Sequence, residues 1–197
     1  MASLFDTLQA NAYRANIIPR TDKARNWFRK AVKELGTVNR TALLKDPILD
    51  KRTKPLIGDM VMYVYDPKLK QTLPYYDMFP MTIMVQAAPG GFHGLNLHYL
   101  SPVIRAEFLD ELMNLAPKKL TDSTRLMRLR YSLLQKAKKF REFKPCYKHY
   151  LTDHVRSRIM RVPMTEWEIA VFLPVDNYKK VSRDTVWRYS RKQIYGK

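Results

Sequence analysis

Positive charge in this chain concentrates in two blocks separated by a stretch that carries almost none. From Tyr13 to Lys54 twelve Lys and Arg face four acids, 12 minus 4 or +8, and from Lys118 to Arg161 fourteen face three, 14 minus 3 or +11. Between them, Leu56 to Leu100 is rich in aromatic, β-branched and Met residues and is punctuated by Pro67, Pro74, Pro80, Pro89 and the glycines at 90, 91 and 94. Unpaired ammonium and guanidinium groups are too costly to bury, so the basic blocks must turn a charged face outward. The neutral stretch is left to supply much of the core.

Each section has its own periodicity. In TDKARNWFRKAVKELG, Thr21 can cap a helix, Ala24, Trp27, Phe28, Ala31 and Leu35 recur at helical spacing, and Gly36 ends it. Lys23, Arg25, Arg29, Lys30 and Lys33 occupy the opposite face. In the neutral section DMVMYVY, MTIMVQA and FHGLNLHYL read as strands, the last two forming a hairpin around Pro89-Gly90-Gly91 within about residues 81–100. The intervening YDPKLKQTLPYYDMFP reads as a long aromatic loop. Its Tyr75, Tyr76 and Phe79 fit packing better than a site, while an exposed Tyr75-Tyr76 pair could stack on bases or a partner.

Beyond Leu100, Ser101-Pro102 opens a helix with Ala106, Leu109, Leu112, Met113 and Ala116 on one face. A second helix follows Thr121-Asp122-Ser123, its apolar stripe Leu126, Leu129, Leu133, Ala137 and Phe140 opposed by Arg125, Arg128, Arg130, Lys136, Lys138, Lys139 and Arg141. A short helix is expected near Pro145, a strand at IMRVP, and a capping box at Thr165 and Glu168. The basic-aromatic tail reads as a final helix or a docked strap. The expected fold is α+β: a small antiparallel sheet packed with several amphipathic basic helices. Residues 1–55 form a basic N-terminal helical region, and 56–197 form a single α+β domain with central basic helices and the basic-aromatic tail.

The whole chain of 197 residues carries 36 Lys and Arg against 18 Asp and Glu, a formal +18. A compact domain with that imbalance is relieved by a polyanion, of which nucleic acid is the commonest; an acidic protein or an anionic membrane surface is the alternative. No apolar run reaches the roughly 18 to 20 residues that cross a bilayer, and no secretory leader is evident, which leads to the expectation of a cytoplasmic protein. The single Cys146 excludes an internal disulfide.

Catalytic constellations are thin. His149 and His154 are five apart, His93 and His98 would point to opposite faces of a strand, and Cys146 with His149 would need a shared helix and an orienting carboxylate. A metal-dependent nuclease would need carboxylates converging on Mg²⁺; Asp66, the group Glu107, Asp110 and Glu111, and the pair Glu166 and Glu168 are the residues to inspect. Their spacing suits helix faces and helix starts better. Nucleotide-binding glycine motifs are absent, as are zinc-finger, helix-turn-helix and RNA-recognition signatures. No catalytic residue, metal or cofactor is expected. Phosphate binding without base readout needs only the basic faces: Arg25, Arg29, Lys30 and Lys33 on the first, and Arg125, Arg128, Arg130, Lys136, Lys138, Lys139 and Arg141 on the second.

Three runs are distinctive: YVYDPKLKQTLPYYDMFP from Tyr63, GGFHGLNLHYLSPVIRAEFLDELM from Gly90, and KKFREFKPCYKHYLTDHVRSRIMRVPMTEWEIAVFLP from Lys138. Together they resemble the DNA end-protector, a minor head-completion protein of T4-like tailed phages and their cyanophage relatives, over roughly residues 55–190. The resemblance implies a non-enzymatic virion protein. It would bind packaged double-stranded DNA at the genome terminus, near the portal and neck, and shield that end from host exonuclease in the cytoplasm after injection. Portal, neck or tail proteins would be its partners, with self-association left open and no membrane involved. Two rivals share the charge: a structural connector of the neck, tail or baseplate meeting acidic subunits, and the metal-dependent nuclease.

Overall fold

The computed structural model describes residues 3–19, 21–53, 56–114 and 140–196. Three helices open the chain, α1 (Leu4–Arg14), α2 (Asp22–Glu34) and α3 (Arg40–Leu43), followed by strands β1 (Asp50–Arg52) and β2 (Met60–Met62). Next come β3 (Tyr76–Asp77), β4 (Met81–Ala88), β5 (Gly91–Asn96) and α4 (Pro102–Asn114). The last part holds α5 (Phe143–Cys146), β6 (Tyr147–Leu151), β7 (Ile159–Val162), α6 (Trp167–Ala170), β8 (Tyr178–Lys179) and α7 (Arg183–Tyr195). Six strands form one antiparallel sheet in the order β1-β7-β2-β4-β5-β6, and β3 pairs with β8 in a second. The mixed α+β architecture expected from the sequence is the one observed.

The hairpin lies where the turn residues placed it. Ala88 pairs with Gly91 across Pro89 and Gly90, and Gly90 takes a φ of +70°, a conformation glycine reaches without penalty. Gly91 is required for another reason: a Cβ there would stand 1.8 Å from the Tyr150 carbonyl oxygen on β6. Strand alternation then sorts side chains to two faces. Met60, Met62, Ile83, Leu95 and Val162 join the main core beneath the helices, whereas Val61, Met84, Phe92 and Tyr150 join Tyr63 and Tyr65 in a second, aromatic cluster.

The first helices are built into that main core. Ser3 caps α1 by accepting from the Phe5 and Asp6 amides, and Phe5, Leu8 and Ala12 turn inward. Thr21 caps α2 as expected, accepting from the Ala24 amide at 3.1 Å. The α2 stripe is Ala24, Phe28 and Val32; Trp27 and Ala31 are half-buried beside it, and Leu35, just past the helix, is exposed. Residues of α1, α2 and α3 share one buried cluster with residues from the sheet, and β1 adds the sheet's outermost strand, held to β7 by the Asp50–Arg161 ion pair.

Several local expectations are corrected. The short helix expected near Pro145 is present as a single turn, but it ends at Cys146 and YKHYL continues as an edge strand, so Cys146 and His149 do not share a helix face. His98 lies past the end of β5 in a 3₁₀ turn, so the strand argument that set it against His93 does not apply. No side-chain cap forms at the start of α6; Glu166 instead accepts from Gln9 Nε2 at 2.7 Å to each oxygen, tying α1 to this segment. Along α4 the buried residues are Arg105, Ala106, Phe108, Leu109 and Leu112, and the Met113 side chain and Ala116 lie outside the described residues.

Candidate nucleic-acid interface

The basic face expected on α2 is solvent-facing. Arg29, Lys30 and Lys33 are exposed, and among the described residues Lys30 and Lys33 have no ion-pair partner while Arg29 meets only Asn26, at 3.2 Å. Arg25 behaves differently. It reaches across to Asp110 on α4 and also lies 3.4 Å from Asp22, so its charge is matched within the fold. Of the second expected face, Arg141 is described and exposed; Arg125, Arg128, Arg130, Lys136, Lys138 and Lys139 lie outside the described residues.

The aromatic loop is more structured than its sequence suggested. Tyr76 sits in β3 opposite Lys179, half-buried. Tyr75 packs against the main core between two rings: Tyr99 at 6.0 Å between centroids and Tyr189 of α7, also at 6.0 Å and nearly parallel at 19°. Phe79 is buried. Lys180, at a φ of +72°, donates from Nζ to the Gln71 and Leu73 carbonyls and pins the loop from the far side.

The basic-aromatic tail takes the helical form of the two expected for it, as α7, although none of its cations was among the expected phosphate contacts. Ser182 caps it and Gly196 ends it at a φ of +67°, while Val186, Ser190 and Ile194 form the buried stripe. The Arg188, Arg191 and Lys192 side chains are exposed and make no ion pair or hydrogen bond among the described residues. Arg183 is satisfied by Asp176 at 3.5 Å. The tail's basic-aromatic alternation was visible; which residues face out required the helix.

The titratable groups weighed for catalysis are dispersed. A hydrogen bond from Lys70 holds the Asp66 carboxyl below the usual range, against the effect of burial. Asp110 pairs with Arg25, Glu107 is exposed, and Glu111 is pushed up by burial and by its neighbours Glu142 and Glu107. Burial raises the Glu166 carboxyl, and the hydrogen bonds from Thr165 and Gln9 offset only part of that. Burial pushes the Cys146 thiol up to about 12, far from a thiolate at neutral pH. Among the described residues, no three His, Cys, Asp or Glu side chains gather as a metal site.

One tight polar cluster does exist, and it is buried. Asp77 Oδ2 lies 2.7 Å from His98 Nδ1 and accepts from Asn96 Nδ2 at 3.2 Å; Asp77 Oδ1 accepts from the Phe79 and Asn177 amides, each at 2.9 Å. Asn96 also donates to the Tyr150 hydroxyl at 3.1 Å. The cluster ties the small sheet to the large one. A cavity of about 460 Å³ opens beside Met78 and Phe79, and its one charged lining residue, Arg40, is already bonded to the Val175 and Asp176 carbonyls.

The cations of α2 and α7 therefore lack anions among the described residues, apart from Arg25 and Arg183, while the buried Asp77 cluster is bonded internally except at His98 Nε2, which has no partner. A family model for the phage T4 terminal DNA protecting protein matches residues 7–197. The chain belongs to that family. No curated protein and no solved structure matches it. The match spans α1 to α7 and so covers both basic helices and the hairpin. Membership in a DNA end-protecting family implies DNA, at a genome end, as a partner. No helix among the described residues is long and apolar enough to cross a membrane.

Proposed function

We propose that this protein binds packaged double-stranded phage DNA without sequence preference and protects the genome ends during head completion, acting by occupancy and not by catalysis. Family membership over residues 7–197 carries the reading. The unpaired cations supply its physics: each phosphate neutralised by Lys or Arg releases condensed counterions, giving affinity that is indifferent to sequence and steeply dependent on salt.

Arg29, Lys30 and Lys33 on α2, with Arg141, form the described part of the phosphate-binding surface, and Arg125, Arg128, Arg130, Lys136, Lys138 and Lys139 extend it. Arg25 contributes less, because Asp110 and Asp22 already offset its charge. The protein acts in the virion, beside portal and neck proteins, and accompanies the DNA end into the host cytoplasm.

The test is exonuclease digestion of linear duplex at low salt. Protection of linear DNA that fades as salt rises is expected. Unimpeded digestion at saturating protein, or Mg²⁺-dependent cleavage by the protein itself, overturns the proposal.

A further inference from the structure

Resting on that reading, we propose that Tyr189, backed by Tyr75 and flanked by Arg188, Arg191 and Lys192 on α7, forms a stacking platform for the terminal base pair of a duplex DNA end.

The rings are held in advance. Tyr75 is sandwiched between Tyr189 and Tyr99; Tyr99 in turn meets Tyr178 edge-on at 5.6 Å and carries the Lys148 ammonium 4.3 Å from its centroid. The column thus runs outward from the buried Tyr99 to Tyr189, which is 45% exposed. Tyr189 has no other ring contact and its hydroxyl no hydrogen bond among the described residues, and nearly half of the residue faces solvent. The core does not need this ring, because Val186, Ser190 and Ile194 already seat the helix. Little rotamer freedom remains to be lost when a base arrives, which favours binding.

Charge and shape together select an end. Arg188 and Lys192 lie one turn apart on the exposed face, and Lys192 is likewise one turn from Tyr189. Arg191 and Lys192 also suit the helix's negative C-terminal end, but Arg188, in the middle of α7, has no such role. Cations alone would bind phosphates anywhere along a duplex. A solvent-exposed ring beside those cations adds something the duplex interior cannot use, since internal base pairs are stacked on both sides. Only the last pair presents a bare π surface, and stacking on it is tolerant of sequence.

The experiment measures binding of the full chain to a blunt linear duplex carrying 2-aminopurine at its terminus, with a covalently closed circle as competitor. Tyr189→Phe keeps the ring, and Tyr189→Leu keeps apolar packing without it. We expect the wild type and Tyr189→Phe to quench the terminal 2-aminopurine and prefer the linear probe. Tyr189→Leu should lose the quenching and about tenfold in end affinity, with affinity for the circle unchanged. Equal end affinity in Tyr189→Leu, or equal losses in the Phe and Leu variants with unaltered melting temperatures, overturns the platform. Wild-type binding to the circle with no preference for ends also overturns it while leaving DNA binding intact. Failure of the wild type to bind either DNA overturns the underlying reading as well.

Discussion

Arg105 on α4 and Arg188 on α7 are the same residue in opposite situations. Arg105 is buried, 1% exposed, and donates to the Val171 carbonyl at 2.8 Å and the Leu100 carbonyl at 3.0 Å, so that one guanidinium closes two open backbone ends. Burial pushes its pKa down, with Asp176, Tyr178 and Asp77 pulling it back up. Arg188 touches no acid and no carbonyl among the described residues. The contrast extends to the two regions they represent. In the interior, Asp77, His98 and Asn96 bond to one another and Arg105 bonds to backbone carbonyls, with His98 Nε2 and Arg105 Nε left unpartnered; along α2 and α7 exposed cations other than Arg183 stand without ion pairs among the described residues. The exposed cations without partners supply residues of the proposed binding surface.

Removing charges from each region should give opposite signatures, stability in one case and salt response in the other. The largest effect is expected at Asp77→Ala, which strips the acceptor from four donors at once; a loss of about 3 to 5 kcal/mol in chemical denaturation is expected. Destabilisation below about 1 kcal/mol would contradict a structural role for the cluster. The same carboxylate sets an acid limb. Burial raises its pKa, but His98 and the Asn177 and Phe79 amides outweigh that and leave it below the usual range. Its stabilisation is therefore present above the ordinary carboxylate pKa and lost as pH falls through the lowered folded value, so the variant's stability should be less sensitive to acid than the wild type's.

Arg105→Ala ranks next, at about 2 to 4 kcal/mol, from two orphaned carbonyls plus a cavity. It should leave DNA affinity per folded molecule unchanged; a specific loss of DNA binding would break the division between the regions. Neutralising Arg29, Lys30 and Lys33 together to Gln is expected to do the reverse. Stability should move by no more than about 0.5 kcal/mol per site, while the slope of log affinity against log salt falls by roughly 2 to 3. Lys30→Gln alone should lower that slope by about 0.9, the smallest change that still separates a phosphate contact from a solvated lysine.

The outer half of this contrast was more legible in sequence than the inner half. The α2 cap at Thr21 and the hairpin at Pro89-Gly90-Gly91 follow from local chemistry, and both occur where expected. The strands at the sheet's two edges were not legible. Asp50-Lys51-Arg52 is too short and polar to declare itself, and YKHYL was hidden behind a Pro145 read as the beginning of a short helix. The polar cluster joins Asp77 to Asn96 and His98, 19 and 21 residues away, a spacing set by tertiary packing and by no local period. Arg105 did leave a trace: it stands three, four and seven positions before Phe108, Leu109 and Leu112, a cation on the apolar stripe that must find buried partners. For α7 the alternation was evident, but Tyr75 and Tyr189, 114 residues apart, meet only in the fold.

Equilibrium binding to linear duplexes of two unrelated sequences, followed from about 50 to 200 mM salt, tests the central claim most directly. The two duplexes should bind alike at low salt, with affinity falling steeply and in parallel as counterion release is suppressed. Absence of binding at about 50 mM, an affinity insensitive to salt, or a strong preference for one sequence would contradict a surface built from unpaired cations to hold the phosphates of a DNA end.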